Sequence, residues 1–261
     1  METLLEAKEV TKIYEKSIRP SLSKVSFRVA EGEFIGIMGA SGSGKTTLLN
    51  VLSTIDTPTS GEIWISGVNL NELSNTNAAD FRKDHLGFIF QEYFLLDSLT
   101  IRENISVPLT LKKLPPKKID SMVQSLAERF GIASQLNKYP NELSGGQRQR
   151  ASAARAIVKQ PSILFADEPT GALDSNSATE LLKALKEANE DLHTTILMVT
   201  HDAYAASYAD RILIFKDGCI VKELHRGEKP RRSFYEAITQ EVAQLDGFLP
   251  VMLFLGQATG I

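Results

Sequence analysis

The sequence predicts an α/β fold built on a mainly parallel β-sheet that helices cover on both faces. Several short apolar runs have the length of buried strands, and they occupy residues 34–38, 163–166, 195–199 and 211–215. Helical segments follow the first run and separate the second from the third. Strand-length apolar runs that alternate with helices are typical of parallel sheets. The chain has 261 residues, which is enough for one such domain with an inserted sub-domain and short for two domains.

The first half of the chain contains a strand, a helix and a second strand in order. Residues 34–38 end in glycine-rich sequence, and a helix is predicted to begin again over residues 45–52. Residues 56–61 are rich in Pro, Thr, Ser and Gly, which indicates a turn. The alternation that follows over residues 62–65 predicts another strand.

A helical insert interrupts the strands in the middle of the chain. After a predicted strand over residues 86–90 the pattern becomes helical. Thr100 and Glu103 have the spacing of a capping box at a helix start, and residues 119–130 have helical periodicity. We predict a helical sub-domain over about residues 92–155, after which strands resume.

The composition limits the classes of function. Hydrophobic residues make up 43% of the chain and charged ones 23%, as in an ordinary globular protein. A net charge of -3 gives no overall attraction to nucleic acid, so we expect none as a partner. The single cysteine, Cys219, excludes an intramolecular disulfide and fits a reducing compartment. The N-terminus has no secretory pattern, and the apolar stretch 248–255 is far shorter than the roughly 20 residues of a membrane-spanning helix. We expect a cytosolic chain that reaches a membrane only through a partner.

A phosphate-binding pattern lies between the first predicted strand and the helix after it. Small residues there let backbone N–H groups converge on phosphate oxygens, and the helix presents its positive end. Lys45 would reach the β and γ phosphates, and the Thr46 hydroxyl would bind a magnesium ion. The alternative is a structural glycine turn, which the placement between strand and helix disfavours. The pattern consists of Gly39, Ala40, Ser41, Gly42, Ser43, Gly44, Lys45 and Thr46.

Two acidic residues follow the strand predicted over residues 163–166. Ligands of open parallel sheets bind at the carboxyl ends of the strands, where Asp167 and Glu168 lie. Asp167 would hold the magnesium ion through its water shell, and Glu168 would orient or deprotonate the attacking water. The alternative, two acids that cap a strand, is weakened by the phosphate-binding pattern.

His201 follows the strand predicted over residues 195–199, so we expect it at the same edge of the sheet. This position, between Thr200 and Asp202, favours contact with the γ phosphate or with the attacking water. We interpret the other histidines as structural residues, namely His85, His193 and His225.

A second anion-binding pattern lies at the predicted start of a helix. Ser144, Gly145, Gly146 and Gln147 have the capping-box form, and residues 148–158 continue as a helix. The free N–H groups there form an anion site without a lysine or magnesium ligand of its own. Such a site is useful if it closes onto a nucleotide bound elsewhere. An ordinary capped helix would explain Ser144 and Gln147 but not the two glycines.

These residues resemble the ATP-binding-cassette (ABC) ATPase family, from about Leu4 to about His225. The resemblance implies a P-loop NTPase core with an N-terminal antiparallel β region and an inserted helical sub-domain. The predicted ATPase domain then covers residues 1–225, and residues 226–261 form an extension of unassigned role.

The resemblance also assigns roles to individual residues. It implies that Tyr14 stacks on adenine, although an exposed aromatic at a strand end is the alternative. Gln91 would contact ATP and magnesium and link this site to the helical insert. Thr47 would bind ATP, and Lys45 would join Glu168 and His201 as catalytic residues.

Family members bind two ATP molecules between two head-to-tail subunits. Each site pairs the phosphate loop of one subunit with the signature of the other. By resemblance, Leu143 and the four residues Ser144, Gly145, Gly146 and Gln147 form that signature. The loop that communicates across the dimer would consist of Gly171, Ala172, Leu173 and Asp174.

The detailed sequence of several segments indicates one branch of the family. Residues 37–50, 87–93 and 165–174 resemble the ATPases of macrolide export, lipoprotein release and antimicrobial-peptide resistance. Within that branch, residues 93–100 and 233–238 resemble bacitracin-type peptide-resistance ATPases. Residues 249–261 depart from that subgroup, so we assign them no role.

The resemblance leaves three classes of function open. The first is a transport ATPase on the cytoplasmic face of the membrane that drives a separate permease, with a functional link to a sensor kinase if it serves peptide resistance. The second is a membrane-complex switch, as in related cell-division ATPases. The third, a cassette protein of DNA repair or of ribosomes, is disfavoured because the chain has neither a long coiled-coil insertion nor a second cassette.

Overall fold

A computed structural model describes residues 2–15 and 17–245. This part of the chain contains two β-sheets. The smaller, antiparallel sheet has four strands in the order β2-β1-β4-β5. Its strands are β1 (Thr3–Lys12), β2 (Leu22–Ala30), β4 (Ser60–Ile65) and β5 (Val68–Asn69). The predicted strand 62–65 therefore lies in the antiparallel region that the family resemblance implied.

The larger sheet has six strands in the order β10-β9-β3-β8-β7-β6. All of its strand pairs are parallel except the antiparallel pair of β10 with β9. The prediction of a mainly parallel sheet is confirmed. The strands are β3 (Phe34–Met38), β6 (Leu86–Ile89), β7 (Ile163–Asp167), β8 (Thr195–Thr200), β9 (Arg211–Lys216) and β10 (Cys219–His225).

Eight α-helices connect or cover these strands within the described part of the chain. Three of them, α3 to α5, lie between β6 and β7, where the sequence predicts the helical insert. Thr100 and Glu103 form the predicted capping box of α3. The helices are α1 (Lys45–Leu52), α2 (Asn75–His85), α3 (Ile101–Leu111), α4 (Pro116–Arg129), α5 (Gly145–Ile157), α6 (Ser175–Leu192), α7 (Ala203–Ala206) and α8 (Arg231–Leu245).

The larger sheet separates two hydrophobic cores. Along β3, Phe34 and Met38 pack with helices of the insert and with α6, whereas Ile35 and Ile37 pack with α1 and the antiparallel sheet. Successive side chains of a strand point to opposite faces, so a strand buried on both faces is apolar throughout. This explains why the strands of this sheet appear in the sequence as unbroken apolar runs.

The amino ends of β3 and β8 are tied together by Asn189 of α6. Its buried Nδ2 donates to the carbonyl of Gly32 at 2.8 Å and to that of Thr194 at 2.9 Å. Gly32 lies just before β3 and Thr194 just before β8. This amide therefore connects two strands at their amino ends, at the edge of the sheet opposite the one where the predicted site residues lie.

Two features bear on the predictions for the chain termini and the membrane. No helix among residues 2–15 and 17–245 is long and apolar enough to cross a membrane. The tail at residues 249–261, to which the sequence assigned no role, lies outside the described residues.

Lys159 closes the carboxyl end of α2. Its Nζ donates to the carbonyls of Arg82 at 3.1 Å and Lys83 at 2.6 Å. Burial, together with the positive charge of Lys112, lowers the pKa of Lys159 to about 8, and the negative charge of Asp84 opposes this shift. The charged ammonium is therefore less stable in the folded protein than in the unfolded chain.

We predict that this burial makes stability depend on pH. Below about pH 8 Lys159 is charged in both states, and its burial destabilises the fold. As the pH rises from about 8 towards the ordinary lysine value of 10.5, the unfolded chain holds more protons and the penalty disappears. Urea unfolding should show the parent gaining stability relative to Lys159→Met across this interval. If the difference in unfolding free energy between the parent and Lys159→Met is the same at about pH 8 and at pH 10.5, the prediction is wrong.

Candidate nucleotide-binding site

A polar cavity of about 580 Å³ lies at the carboxyl edge of the larger sheet. It brings together most of the residues that the sequence predicts for phosphate binding and hydrolysis. Ser21, at the start of β2, also lines it, and no sequence pattern pointed to that residue. The lining consists of Ser21, Ala40, Ser41, Gly42, Gly44, Lys45, Thr46, Thr47, Gln91, Glu168 and His201.

The phosphate loop between β3 and α1 depends on Gly44, which caps α1 with a φ of 104°. A Cβ at this position would lie 2.3 Å from the carbonyl oxygen of Ser21, so both the backbone angle and the space require glycine. This geometry directs the first N–H groups of α1 into the cavity, where they form an anion site.

Lys45 is the first residue of α1, and only 7% of it is exposed. Its Nζ donates to the carbonyls of Gly39 and Ala40, each at 2.8 Å. Burial lowers the pKa of Lys45, and the negative charges of Glu168 and Asp167 oppose this shift. The loop therefore holds a lysine over its own backbone, close to two carboxylates.

Asp167 ends β7 and lies beside Lys45 and Thr46. Burial and the neighbouring Glu168 raise its pKa, while Lys45 and the Thr46 hydroxyl act in the opposite direction. Its Oδ1 is buried and accepts no hydrogen bond from the described residues. A buried carboxylate oxygen without a donor is suited to bind a cation or its water shell.

The described residues contain no cluster of three His, Cys, Asp or Glu side chains that could hold a metal ion by themselves. Thr46 and Gln91 nevertheless line the cavity, and the carboxylate of Asp167 is hydrogen-bonded to Thr46, so three side chains bring oxygen atoms to this region. Mg²⁺ prefers oxygen ligands and commonly combines one or two protein groups with substrate phosphates and water. The donors present therefore fit a magnesium ion that is bound together with a nucleotide.

Glu168 and His201 form a hydrogen-bonded pair at the ends of β7 and β8. The Nδ1 of His201 lies 2.9 Å from Glu168 Oε1, and the His201 backbone N–H donates to Oε2 at 3.4 Å. A carboxylate without a proton only accepts hydrogen bonds, so Nδ1 of His201 is the donor in this pair. Glu168 adopts a positive φ of 46°, an unusual backbone conformation found often at functional sites.

Gln91 and Tyr14 have different surroundings. Gln91 lines the cavity, and its amide lies against Gly171, where a Cβ would come within 3.1 Å of it. Tyr14 does not line the cavity: its hydroxyl donates to Asp56 at 3.0 Å, and Lys12 lies over its ring. The Tyr14 residue is 41% exposed.

Ser144, Gly145, Gly146 and Gln147 begin α5 with the predicted capping box and do not line the cavity of their own chain. Two neighbours pack against the glycines: the Tyr93 hydroxyl on Gly145 and Ser177 on Gly146. Ser177 also donates to Asp174, which caps α6. The signature, the loop Gly171, Ala172, Leu173 and Asp174, and the segment after Gln91 are therefore adjacent.

Gln149 of α5 is a buried polar residue of this region that was not predicted from the sequence. Its Nε2 donates to the carbonyls of Phe90 and Pro169, which flank Gln91 and Glu168. A signal was present, because the residues three and four positions away from Gln149 on both sides are all small, namely Gly145, Gly146, Ser152 and Ala153.

The phosphate loop, the acidic pair and the parallel sheet define a P-loop nucleoside triphosphatase. The family model described as ABC transporter matches residues 22–171. The chain belongs to the ABC transporter family and is an ATP-binding ATPase of that family.

Individual relatives agree with this classification. The chain is 52% identical over 246 residues to the bacitracin export ATP-binding protein BceA of Halalkalibacterium halodurans. The aligned region covers 94% of this chain and 97% of the relative. It is 44% identical over 202 residues to the macrolide export ATP-binding/permease protein MacB of Vibrio parahaemolyticus. That aligned region covers 77% of this chain and 31% of the longer protein.

A solved structure has the same fold. It is the dimeric post-hydrolysis state of the ATP-binding cassette MJ0796 bound to ADP and Pi, a protein of Methanocaldococcus jannaschii. The TM-score is 0.78 at 37% identity, over 85% of this chain and 98% of the other.

The phosphate loop makes a prediction about two of its glycines. Gly42 has a φ of 78° and open space within 4 Å of the position that a Cβ would occupy, whereas a Cβ on Gly44 would also collide with Ser21. Gly42→Ala should destabilise the nucleotide-free protein by about 1–2 kcal/mol through backbone strain alone. Gly44→Ala should cost clearly more in the same denaturant titration. Equal losses would show that the loop shifts freely and that the collision is irrelevant.

Proposed function

We propose that this chain binds ATP with magnesium in the cavity described above and hydrolyses it within a head-to-tail homodimer that drives a separate membrane permease. The physiological role that we propose is resistance to a bacitracin-like antimicrobial peptide. The observation that carries the proposal is the convergence of a phosphate loop, the carboxylate of Asp167 and the pair of Glu168 and His201 at one sheet edge.

ATP binding would use the backbone N–H groups of the phosphate loop together with Lys45 and Thr47. Lys45 would exchange the carbonyls of Gly39 and Ala40 for oxygens of the β and γ phosphates. The loop residues in this role are Gly39, Ala40, Ser41, Gly42, Ser43, Gly44, Lys45 and Thr46. We assign the exposed ring of Tyr14 to stacking on adenine, with Asp56 holding its hydroxyl.

Thr46, Gln91 and Asp167 would hold the magnesium ion. When bound, the ion would neutralise charge that develops on the phosphates. The buried Oδ1 of Asp167 supports this assignment, since it has no donor among the described residues. Until a cation is present, Lys45 partly balances the charge of this carboxylate.

Hydrolysis would proceed by in-line attack of water on the γ phosphate. Glu168 would orient or deprotonate the water, and its hydrogen bond to His201 supports a fixed orientation of the carboxylate. His201 would keep Nδ1 towards Glu168. Its Nε2 would accept a hydrogen bond from the water in the neutral ring or donate one to the γ phosphate in the protonated ring. Lys45, once bound to the phosphate oxygens, would stabilise negative charge in the transition state.

A second copy of the chain would complete each ATP site. The signature lies outside the cavity of its own chain. The N–H groups at this helix N-terminus would therefore donate to phosphate oxygens of a nucleotide that a second copy of the chain holds. The relation to the dimeric cassette MJ0796 supports this arrangement. The loop Gly171, Ala172, Leu173 and Asp174 would pass the state of one site to the other.

The permease would bind where the helical insert meets the segment after Gln91. Phe94 is 58% exposed and Leu96 is 49% exposed in this segment, next to the cavity lining. Binding there would place the chain on the cytoplasmic face of the cell membrane. A link to a sensor kinase would accompany the peptide-resistance role.

The peptide-resistance role is supported by the 52% identity to a bacitracin export ATP-binding protein over nearly the whole length of both chains. The alternative is an ATPase of a macrolide-export, lipoprotein-release or cell-division complex. Among these three, macrolide export is favoured by the 44% identity to part of a macrolide export ATP-binding/permease protein.

We predict that Glu168→Gln retains ATP binding and loses turnover. The amide keeps the size of the carboxylate but does not accept a proton from water, so the rate should fall by about 10²–10⁴-fold. Phosphate release should measure the loss, and size-exclusion chromatography with ATP should show a stable dimer. Hydrolysis at the parental rate would remove Glu168 from this role.

The permease assignment predicts a specific dependence on the exposed apolar pair. Affinity capture of the full chain from detergent-solubilised native membranes should recover a permease, identified by mass spectrometry. Changing Phe94 and Leu96 together to Ser should abolish recovery without loss of ATP hydrolysis, whereas Val221→Ser, an exposed apolar residue of β10, should not.

The identity of the captured partner separates the alternatives. A many-span permease with a large external domain supports the peptide-resistance role, and a smaller permease supports the macrolide, lipoprotein or cell-division alternative. Recovery of nucleic-acid complexes without any permease would contradict the transport function.

A further inference from the structure

Gln149 connects three segments of the ATPase from inside the protein. Its side chain is fully buried on α5, and Nε2 donates to the carbonyl of Phe90 at 2.8 Å and to that of Pro169 at 2.7 Å. Phe90 immediately precedes Gln91, and Pro169 immediately follows Glu168. One amide therefore joins the signature helix to the two loops that carry Gln91 and Glu168.

The chemistry of this junction requires a double donor. Carbonyl oxygens only accept hydrogen bonds, and both of these lie within bonding distance of the same nitrogen. An amide nitrogen carries two N–H groups and can satisfy one carbonyl with each of them. The two contacts also determine which end of the amide is the nitrogen.

Packing alone does not account for an amide at this position. The Oε1 of Gln149 is buried and has no hydrogen-bond partner among the described residues. A buried polar atom without a partner destabilises a protein, and an aliphatic side chain of similar size would avoid that penalty only by leaving the carbonyls of Phe90 and Pro169 without this donor. The amide is explained if the two bonds from Nε2 serve the site.

The same helix holds the segment after Gln91 at a second point. Arg155 donates through one guanidinium nitrogen to the carbonyl of Tyr93 at 3.1 Å and through the other to that of Phe94 at 2.5 Å. Arg148 lies over the Tyr93 ring with its guanidinium carbon 5.0 Å from the centroid. Residues 90–94 are therefore attached to α5 at both ends.

We propose that Gln149 is a positioning residue for ATP hydrolysis. It holds the backbones beside Gln91 and Glu168 in one fixed arrangement with α5, so that a movement of the insert changes the signature and the hydrolytic site together. This inference rests on the proposed function, which assigns the roles of Gln91 and Glu168. It adds a residue that itself contacts neither nucleotide nor permease.

Asn189 provides a matched control for Gln149. It is also a buried amide that bridges two backbone carbonyls, those of Gly32 and Thr194, but at the opposite edge of the same sheet. Gln149→Met and Asn189→Leu each replace the amide by an aliphatic side chain of similar size. Gln149→Met loses its two hydrogen bonds beside the site. Asn189→Leu loses the two to these carbonyls and the one that Lys186 Nζ donates to Asn189 Oδ1, all away from the site.

The experiment compares the full-length parent with these two variants. Thermal unfolding measures stability, nucleotide titration measures ATP affinity, and phosphate release at saturating ATP measures kcat. We expect Gln149→Met to lose about tenfold to a hundredfold in kcat with ATP affinity nearly unchanged, because small displacements of reacting groups have effects of this size. Asn189→Leu should lose stability while the kcat of its folded fraction stays near the parental value.

Two further variants keep the inference testable if Gln149→Met does not fold. Gln149→Asn retains the amide but shortens it, so that it cannot span both carbonyls, and kcat should again fall. Gln149→Glu would place carboxylate oxygens against two carbonyls and should lose more activity than Gln149→Asn. Full kcat in either soluble variant, or a loss in Gln149→Met no larger than in Asn189→Leu, would overturn the inference.

Glu168→Gln, measured in the same series, separates this inference from the proposed function. If Glu168→Gln abolishes hydrolysis while Gln149→Met behaves like Asn189→Leu, only the positioning role of Gln149 is wrong. If Glu168→Gln hydrolyses ATP at the parental rate, the proposed hydrolytic site is wrong, whatever Gln149→Met does.

Discussion

The parallel hydrogen bonding of β3, β8 and β7 is the constraint on which the site depends. In this register Met38 lies beside Thr200, and Val199 lies beside Asp167, so the three strands end at the same level. The phosphate loop, His201 and the pair Asp167 and Glu168 each follow one of these strands. Because the strands are buried on both faces, a shift of register would disrupt the packing on both of them. The chemistry is therefore positioned by the most tightly constrained part of the molecule.

Charge in the site is partly compensated by the protein's own groups. Burial disfavours the charged form of Lys45 and of Asp167, and each group partly compensates the other. Glu168 is held by His201, so the carboxylate that would face the water already has a fixed position, and Lys45 lies in the loop within reach of the phosphates that it would bind. A site of this kind loses little energy in reorganisation when a highly charged nucleotide enters.

The helical insert is attached to the core through polar contacts of one helix as well as through apolar packing. Gln149 and Arg155 of α5 bind backbone carbonyls of the segment around Gln91, and Gln149 also binds the segment after Glu168. Hydrogen bonds have defined directions, so they restrict relative orientation more than apolar contacts do. A helix whose first residues would face another subunit is thus coupled in orientation to the residues nearest the cavity.

The sequence by itself determined the type of the larger sheet, the order of five of its six strands and the residues that follow them, because apolar period, glycine placement and capping patterns are local. Lys45, Asp167, Glu168 and His201 could be predicted for the same reason. Only the tertiary structure decided that Ser21 lines the cavity, that Tyr14 is tied to Asp56 outside it, and that Gln149 joins two loops distant in sequence. These contacts depend on how separate elements pack, and no local pattern in the chain encodes which partners will meet.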